Sequence, residues 1–177
     1  IDDMTVNEGE WFDLTGSFID PGADTWSVTV DYGDDPSGIA QPLLLMGKDF
    51  TISHAYADNG QYTVTVTVTD DDGAAGTEQF NVKVENVVPT VNAGEDVTVN
   101  DGTNITHLIF ITDPGADRWS AEIDYGDWSS VETQSNLIDR AFALDHLYAV
   151  PGVYAVAVTV SDDEGAQGTD TFTATVN

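Results

Sequence analysis

The sequence predicts an all-β protein built from two tandem β-sandwiches of about seven strands each, on three observations. The first is the unbroken alternation of threonine and valine at residues 63–69, which is the period of a strand with one apolar face. The second is the recurrence of a similar alternation at residues 154–161, where each copy runs into an acidic turn that ends in glycine. The third is the lack of any segment with helical period, combined with turn residues at short intervals.

Matched motifs reveal an internal repeat that divides the chain. Residues 20–27 match residues 113–120 in all but one position, at an offset of 93 residues (113 − 20). The Gly-x-Tyr at residues 60–62 recurs at an offset of 92 (152 − 60), so the second copy lacks one residue in between. We therefore predict one β-sandwich in residues 1–86 and a second in residues 87–177, joined by a short, stiff connector.

Each predicted strand of the first copy has its own pattern. A short apolar stretch opens the copy, and alternating residues then mark one strand on either side of the loop at residues 20–24. Two weaker strands precede the long threonine–valine strand, and Phe80, Val82 and Val84 mark the last one. The predicted strands cover residues 4–6, 11–18, 26–32, 43–45, 50–54, 62–69 and 80–84.

Aromatic residues at fixed places in both copies are predicted to anchor the two cores. The Gly-x-Tyr before each long strand is typical of a tyrosine corner, in which the phenol donates a hydrogen bond to upstream backbone. We therefore predict structural roles for Tyr62 and Tyr154. Trp26 and Trp119, which open the third strand of each copy, are predicted core residues by the same reasoning. These features make the sandwiches Ig-like.

The charge balance excludes several partners and opposes folding. Four Lys and Arg stand against 32 Asp and Glu, for a net charge of −28. Nucleic-acid binding needs basic side chains that displace counterions, and an anionic membrane surface is disfavoured for the same reason. So much negative charge opposes compaction, which bound divalent cations or high salt would relieve. The absence of cysteine excludes disulfides and thiolate metal sites, and no apolar run has the length of a transmembrane helix.

Three motifs together resemble the PKD (polycystic kidney disease) domain family. They are Asp31-Tyr32-Gly33-Asp34, His54-Ala55-Tyr56 and Gly60-Gln61-Tyr62, and each has a counterpart in the second copy. Asp35 and Trp128 depart from the pattern, since the family often has glycine there. The resemblance implies PKD-type, non-catalytic, extracellular modules that occur in tandem in surface proteins or beside secreted hydrolase domains. Several members of the family bind calcium.

Acidic residues from different loops are expected to meet at the same end of each sandwich, because successive loops alternate between its two ends. Carboxylates and an amide in such number suit Ca²⁺, which takes six to eight oxygen ligands, and without a cation they would repel one another. Glu8 and Asn86 are expected to join the acids of the second copy at the connector. The predicted calcium ligands are Glu8, Asp20, Asp24, Asp70, Asp72, Asn86, Asp113, Asp117, Asp162 and Glu164.

Other interpretations of these residues stay open or are rejected. Asp and Gly are also ordinary turn residues, so any single acid has a structural alternative. The spacing Asp70-x-Asp72-Gly73 resembles only the start of an EF-hand loop, without its later Glu or flanking helices, and an EF-hand is rejected. His54 and His146 occupy matched motifs, which favours a structural hydrogen bond over zinc binding or catalysis.

Two tryptophans that the copies do not share are candidates for specific binding. Trp11 aligns with Asn104 and Trp128 aligns with Asp35, so the fold requires neither indole. An exposed tryptophan can stack on a sugar ring or pack against a neighbouring domain, and we favour the neighbouring domain.

We predict a non-catalytic, calcium-binding segment that acts as a calcium-stiffened spacer in a larger extracellular or cell-surface protein. No nucleophile motif or phosphate-binding loop argues for an enzyme. The expected partners are neighbouring domains of the same parent chain, with no nucleic acid and no direct membrane insertion. The alternative is an accessory carbohydrate- or protein-binding module of a secreted hydrolase or an adhesin, with a glycan or surface protein as partner. A third interpretation is a saline habitat, where monovalent ions screen the charge.

Overall fold

The computed structural model describes residues 1–177, which form two compact units, Ile1–Asn86 and Val87–Asn177. All regular structure in both units is β-strand, arranged in four sheets, and each unit is an Ig-like β-sandwich of two sheets. The predicted fold class is therefore confirmed. The long, apolar kind of helix that crosses a membrane does not occur in the structure.

Unit 1 (Ile1–Asn86) contains a five-stranded and a three-stranded sheet. Its strands are β1 (Met4–Asn7), β2 (Phe12–Ser17), β3 (Trp26–Asp31), β4 (Gln41–Leu43), β5 (Leu45–Met46), β6 (Asp49–His54), β7 (Gly60–Asp70) and β8 (Ala75–Glu85). The larger sheet has the order β1-β8-β7-β3-β4, and the smaller sheet has the order β2-β6-β5. β1 runs parallel to β8, whereas the other pairs are antiparallel.

Unit 2 (Val87–Asn177) repeats the larger sheet of this arrangement, but its smaller sheet gains a short opening strand and has no counterpart of β5. Its strands are β9 (Thr90–Asn92), β10 (Val97–Val99), β11 (Ile105–Thr112), β12 (Trp119–Asp124), β13 (Glu132–Leu137), β14 (Ala141–His146), β15 (Gly152–Ser161) and β16 (Gln167–Val176). The larger sheet has the order β10-β16-β15-β12-β13. The smaller sheet has the order β14-β11-β9, so a short opening strand pairs with β11.

The long strands β7 and β15 organise the two cores. Val64 and Val66 of β7 are buried, and the threonines that alternate with them face the other side of the sheet. β15 buries Val156, Val158 and Val160 in the same way. Valine and threonine are both β-branched and suit the pleated surface, which is why the sequence pattern predicts these two strands so directly.

The tyrosine corners predicted from Gly-x-Tyr are present in both units. The Tyr62 hydroxyl donates a hydrogen bond to the carbonyl oxygen of Asp58 at 2.9 Å. The Tyr154 hydroxyl donates in the same way to the carbonyl oxygen of Val150 at 2.6 Å. The fully buried Tyr56 stacks on the Tyr62 ring with 4.2 Å between centroids, so the corner is part of the core.

Each unit has eight strands rather than about seven. In unit 1 the weak strand predicted near residues 43–45 is two edge strands, β4 and β5, in different sheets, with Leu44 exposed between them. In unit 2 the opening stretch forms both β9 and β10. The last strand of unit 1 begins at Ala75 rather than near residue 80, because the Asp70 N–H bonds to the Ala74 carbonyl and the strand resumes directly afterwards.

Candidate metal centre

Three carboxylates converge at one end of unit 2. Asp117 lies in the loop between β11 and β12, and Asp163 and Glu164 lie in the tight turn between β15 and β16. One carboxylate oxygen from each of the three lies within 4.8 Å of the other two. Asp117 is buried, whereas Asp163 and Glu164 are exposed. The group therefore combines a fixed, buried acid with two acids that solvent reaches.

Asp162 shapes the turn that presents these two acids. Its N–H donates to the Ala166 carbonyl at 3.1 Å, and its carboxylate accepts the Ala166 N–H at 2.7 Å. Gly165 completes the turn with a φ of 88°, a left-handed conformation that favours glycine. The carboxylate of the predicted ligand Asp162 therefore hydrogen-bonds within the turn. The adjacent Asp163 contributes its carboxylate to the three-acid group.

A hydrogen bond ties the two loops of the group together. The backbone N–H of Arg118 donates to the Asp163 carboxylate at 3.2 Å. Arg118 directly follows Asp117, so this bond brings the turn at residues 162–165 against the loop that carries the buried acid. The proximity of Asp117 and Asp163 is therefore supported by the backbone.

The predicted ligand Asp113 orients the core tryptophan of unit 2. Its carboxylate accepts the indole N–H of Trp119 at 3.2 Å and the backbone N–H of Gly115 at 3.0 Å. Arg140 donates to the Gly115 carbonyl at 2.9 Å, and its guanidinium lies 5.9 Å from the centre of the Trp119 ring. Both Asp113 and Trp119 are buried, which confirms the predicted core position of this tryptophan.

Unit 1 repeats these structural bonds. The Asp20 carboxylate accepts the Gly22 N–H at 2.6 Å and the indole N–H of Trp26 at 3.4 Å, and the Asp70 carboxylate accepts the Ala74 N–H at 2.8 Å. Asp24 and Asp72 match Asp117 and Glu164 in sequence. The acids at this end of unit 1 nevertheless form no group of three oxygens close enough for one ion.

A pair of acids lies at the opposite end of unit 1. Glu8 follows β1, its N–H donates to the Glu85 carbonyl at 3.0 Å, and its side chain is buried. Carboxylate oxygens of Glu8 and Asp58 lie within 4.8 Å of each other. Burial, and then the charges of Asp58, Asp34 and Glu8, raise the pKa of Tyr62. The predicted ligand Asn86 follows β8 directly and is half-buried.

The histidines of the matched motifs have structural hydrogen bonds, as predicted. His54 Nε2 lies 2.8 Å from an Asp34 carboxylate oxygen, and His146 Nε2 lies 2.9 Å from one of Asp127. The His146 ring also stacks on Tyr125 with 3.8 Å between centroids. These rings are thus held between an acid and an aromatic core residue.

Asp127 of unit 2 has a strongly lowered pKa. Its burial opposes ionisation, but hydrogen bonds from Ser129 and His146 outweigh that effect and lower the pKa of Asp127 to about 2. Asp127 therefore stays charged throughout the mildly acidic range, which maintains its hydrogen bond to His146.

Both candidate tryptophans are exposed. Trp11 is 72% exposed just before β2, and Trp128 is fully exposed in the turn after β12. Trp128 has a φ of 67°, in the left-handed region that glycine favours. This finding explains why the motif often has glycine at this position, and it means that the indole is presented by a strained backbone.

Two acids of these groups, Asp163 and Asp58, are not among the ligands predicted from the sequence. Asp163 lies between two predicted ligands in the sequence. Only the structure at the end of β15 shows that the Asp162 carboxylate bonds within the turn. Asp58 lies in a corner whose sequence is that of an ordinary turn. It lies close to Glu8 because backbone hydrogen bonding places this corner beside the end of β1. No local signal distinguishes either residue.

Comparisons with known proteins agree with this architecture. The PKD domain model matches residues 1–84 and again residues 86–176. The VPS10 domain-containing receptor SorCS1 of Mus musculus is 23% identical over 128 residues, covering 68% of this chain and 11% of the receptor. The chain thus spans about a tenth of that relative's length.

Two solved structures are among those similar to this chain. A tetra-tandem repeat from the extending region of a large adhesion protein has a TM-score of 0.53 and 16% identity, over 97% of this chain and 47% of that one. The PKD domain of an M14-like peptidase from a Thermoplasmatales archaeon has a TM-score of 0.42 and 21% identity, over 52% of this chain and 98% of that one. Because the family model covers both copies over nearly their whole length, the chain belongs to the PKD domain family, with two tandem members.

Proposed function

We propose that this pair of PKD domains is a non-catalytic, calcium-stiffened spacer within a larger extracellular or cell-surface protein. The observation that carries the calcium proposal is the three-acid group of unit 2, in which oxygens of Asp117, Asp163 and Glu164 lie within 4.8 Å of one another. Calcium–oxygen bonds of 2.3–2.6 Å allow two ligands of one ion to be at most about 5 Å apart, so one ion can bridge all three.

The chemistry of the group favours calcium over other metals. Carboxylate oxygens are hard ligands, and neither thiol nor clustered imidazole is present to select a softer ion. Calcium accepts irregular sets of six to eight oxygens, so backbone carbonyls and water can complete the shell on the exposed side. Neutralising even a few acids also reduces the self-repulsion of a chain with a net charge of −28.

The proposed ligands divide into two classes. In unit 2, Asp117, Asp163 and Glu164 are the principal candidates, and the paired Glu8 and Asp58 of unit 1 are a second location for a cation. The other predicted ligands remain predictions; four of them, Asp20, Asp70, Asp113 and Asp162, already accept hydrogen bonds from their own loops.

The spacer role, the location and the partners follow from the family and the charge. PKD domains are generally non-catalytic modules of larger multidomain chains, so neighbouring domains of the parent chain are the proposed partners. The extracellular location is proposed because millimolar calcium is available there to a site of weak or moderate affinity.

Thermal unfolding of the 177-residue chain tests the calcium proposal. Melting is measured in EDTA, in millimolar calcium, in magnesium and in potassium chloride at matched ionic strength. Calcium at a hundredfold its dissociation constant should stabilise the folded state by about 2.7 kcal/mol, and magnesium or potassium by less. Equal gains with all three salts would contradict a specific site and support simple screening in a saline habitat.

Matched variants locate the site. Asp117→Asn combined with Glu164→Gln should abolish most of the calcium gain, because it removes two of the three converging carboxylates. The corresponding change in unit 1, Asp24→Asn with Asp72→Asn, is the control and should retain the gain. A full calcium gain in the unit 2 variant would exclude this group as the site.

The spacer role predicts that small-angle scattering shows a narrower range of molecular dimensions in calcium than in EDTA.

The exposed Trp128 favours a second candidate function, binding of a glycan or surface protein. Backbone strain is retained most often at functional positions, and here it presents a fully exposed indole. Titration with polysaccharides while tryptophan fluorescence is followed tests this candidate, with Trp128→Gly and Trp11→Ala as variants. If polysaccharide changes the tryptophan fluorescence of neither the parent chain nor the two variants, the spacer is the sole remaining proposal.

A further inference from the structure

The outer face of the smaller sheet of unit 2 is apolar. Every second residue of β11 from Thr106 points to solvent, and this row includes Leu108 and Phe110, which are 48% and 47% exposed. On the neighbouring strand β14, Ala143 lies opposite Leu108 and Ala141 lies opposite Phe110. The four side chains therefore form one apolar face on the outside of the sandwich.

Unit 1 has a polar face at the same place. The residues aligned with Leu108 and Phe110 lie on β2 at an offset of 93 (108 − 15), and those aligned with the two alanines lie on β6 at an offset of 92 (143 − 51). These four residues of unit 1 are all exposed, and they are Thr15, Ser17, Asp49 and Thr51. The fold thus does not require an apolar face here, and an apolar face that the fold does not require indicates a covering ligand.

An asparagine at the start of the same row has the sequence of a glycan acceptor. Asn104-Ile105-Thr106 is the one place in the chain where asparagine is followed, two residues later, by serine or threonine without an intervening proline. The aligned residues of unit 1 are Trp11-Phe12-Asp13, which cannot accept such a glycan. The acceptor motif and the apolar face are therefore both confined to unit 2.

The Asn104 side chain lies on the same face as the apolar row. Asn104 is exposed and directly precedes β11, and its Nδ2 donates a hydrogen bond to a carboxylate oxygen of Asp145 at 2.6 Å. Asp145 is the residue opposite Thr106 in the sheet, so this bond directs the amide towards the outer face. The amide nitrogen has two hydrogens, and one can be replaced by a sugar while the other still donates to Asp145.

The apolar residues follow Asn104 along the strand at a distance that a short oligosaccharide can span. At the usual rise of a strand, Leu108 lies about 13 Å and Phe110 about 20 Å from Asn104. No charged residue of β11 lies between them, because the row contains only Thr106 before Leu108. A chain of a few sugars attached at Asn104 therefore has an uncharged surface to lie on.

We propose that Asn104 is the acceptor of an N-linked oligosaccharide whose first sugars lie along Leu108 and Phe110. In the transfer, Asn104 Nδ2 loses one proton and bonds to C1 of the first sugar. The bond between C1 and an oxygen of a lipid-linked diphosphate breaks, and the diphosphate leaves with the electron pair. The sugar rings then shield the Phe110 ring from water. The proposal rests on the extracellular location proposed above, since this modification belongs to secreted chains.

Secretion of the 177-residue chain from eukaryotic cells tests the acceptor. Peptide mass spectrometry should find an oligosaccharide on Asn104 that peptide N-glycosidase releases. Thr106→Ser should keep the sugar and Thr106→Ala should remove it, because the hydroxyl is part of the acceptor motif. A secreted parent chain with an unmodified Asn104 would overturn the proposal.

A second comparison tests whether the sugar covers the face. Leu108→Thr with Phe110→Ser gives unit 2 the side chains of unit 1, and both chains are prepared with the sugar, by secretion, and without it, from a bacterial cytosol. In EDTA the sugar should raise the melting midpoint of the parent chain by about 2–4 °C and that of the variant by much less. Equal gains would contradict the contact. The calcium measurements use the chain without sugar, so the two proposals can fail separately.

Discussion

At the scale of the residue, Trp128 shows a conflict between backbone and side chain. A left-handed conformation costs a non-glycine residue about 1–2 kcal/mol, whereas glycine costs about 0.5–1 kcal/mol through its greater freedom in the unfolded chain. Trp128 is fully exposed, so its removal sacrifices no packing. Trp128→Gly should therefore increase the free energy of unfolding by about 0.5–1 kcal/mol.

Urea unfolding measures this effect, and Asp35→Gly is the matched control. Asp35 occupies the aligned position without a left-handed φ, and its carboxylate accepts the Ser37 N–H at 2.8 Å. Glycine should consequently destabilise unit 1. A loss of stability in both variants would show that the Trp128 indole has a stabilising contact.

A second prediction at this scale concerns acid. The pKa of Asp127 is about 2 in the folded chain and close to the ordinary 3.8 in the unfolded chain. A lowered folded-state pKa stabilises the protein above the unfolded value, and the contribution is lost as the pH falls from about 4 towards 2. After allowance for partial solvent exposure, it amounts to about 1 kcal/mol.

The contribution of the Asp127 carboxylate is tested by measuring the free energy of unfolding between about pH 5 and pH 2. This is roughly the range over which Asp127 titrates. Asp127→Asn should be less stable than the parent chain at pH 5, and the difference should shrink as the pH falls. A constant difference across this range would mean that the Asp127 charge contributes nothing.

At the scale of the element, two neighbouring acids in the β15–β16 hairpin have opposite roles. Asp162→Ala removes the acceptor of the Ala166 N–H and should destabilise the chain by about 1–2 kcal/mol. Asp163→Ala removes the exposed acceptor of the Arg118 N–H but also a repelling charge, so it should cost less stability in EDTA than Asp162→Ala and should instead weaken the response to calcium. Chemical unfolding with and without calcium distinguishes the two roles, and similar losses in EDTA would contradict this division.

The strands and corners could be predicted from sequence because their signals are local. Valine–threonine alternation defines β7, and Gly-x-Tyr defines the corner at Tyr62. The choice among adjacent acids could not be predicted, since Asp162 and Asp163 are chemically identical and differ only in the direction that the end of β15 imposes. The unequal ends of the two repeats could not be predicted either, because Trp26 and Val68 recur unchanged as Trp119 and Val160 although only the second pair is fully buried.

At the scale of the whole molecule, the two repeats should differ in stability. Unit 2 buries its end residues beneath β9, whereas unit 1 leaves Phe18, Trp26 and Val68 half-buried. Native-state hydrogen exchange in EDTA should therefore show a lower opening free energy for the β7–β8 pair than for the β15–β16 pair. The reverse order would mean that the partial exposure of these three side chains has little influence on stability.

The edge strands β4 and β5 give the molecule a pH-dependent colloidal behaviour. Met46 on β5 is 77% exposed, Leu44 between the two strands is 82% exposed, and the outer edges of both strands lack partners. Such an edge is a template for self-association, and at neutral pH the charge of −28 keeps copies apart by long-range repulsion. Near the isoelectric point of about 4.1 that repulsion vanishes, so turbidity should rise there first, with folded protein still the main species.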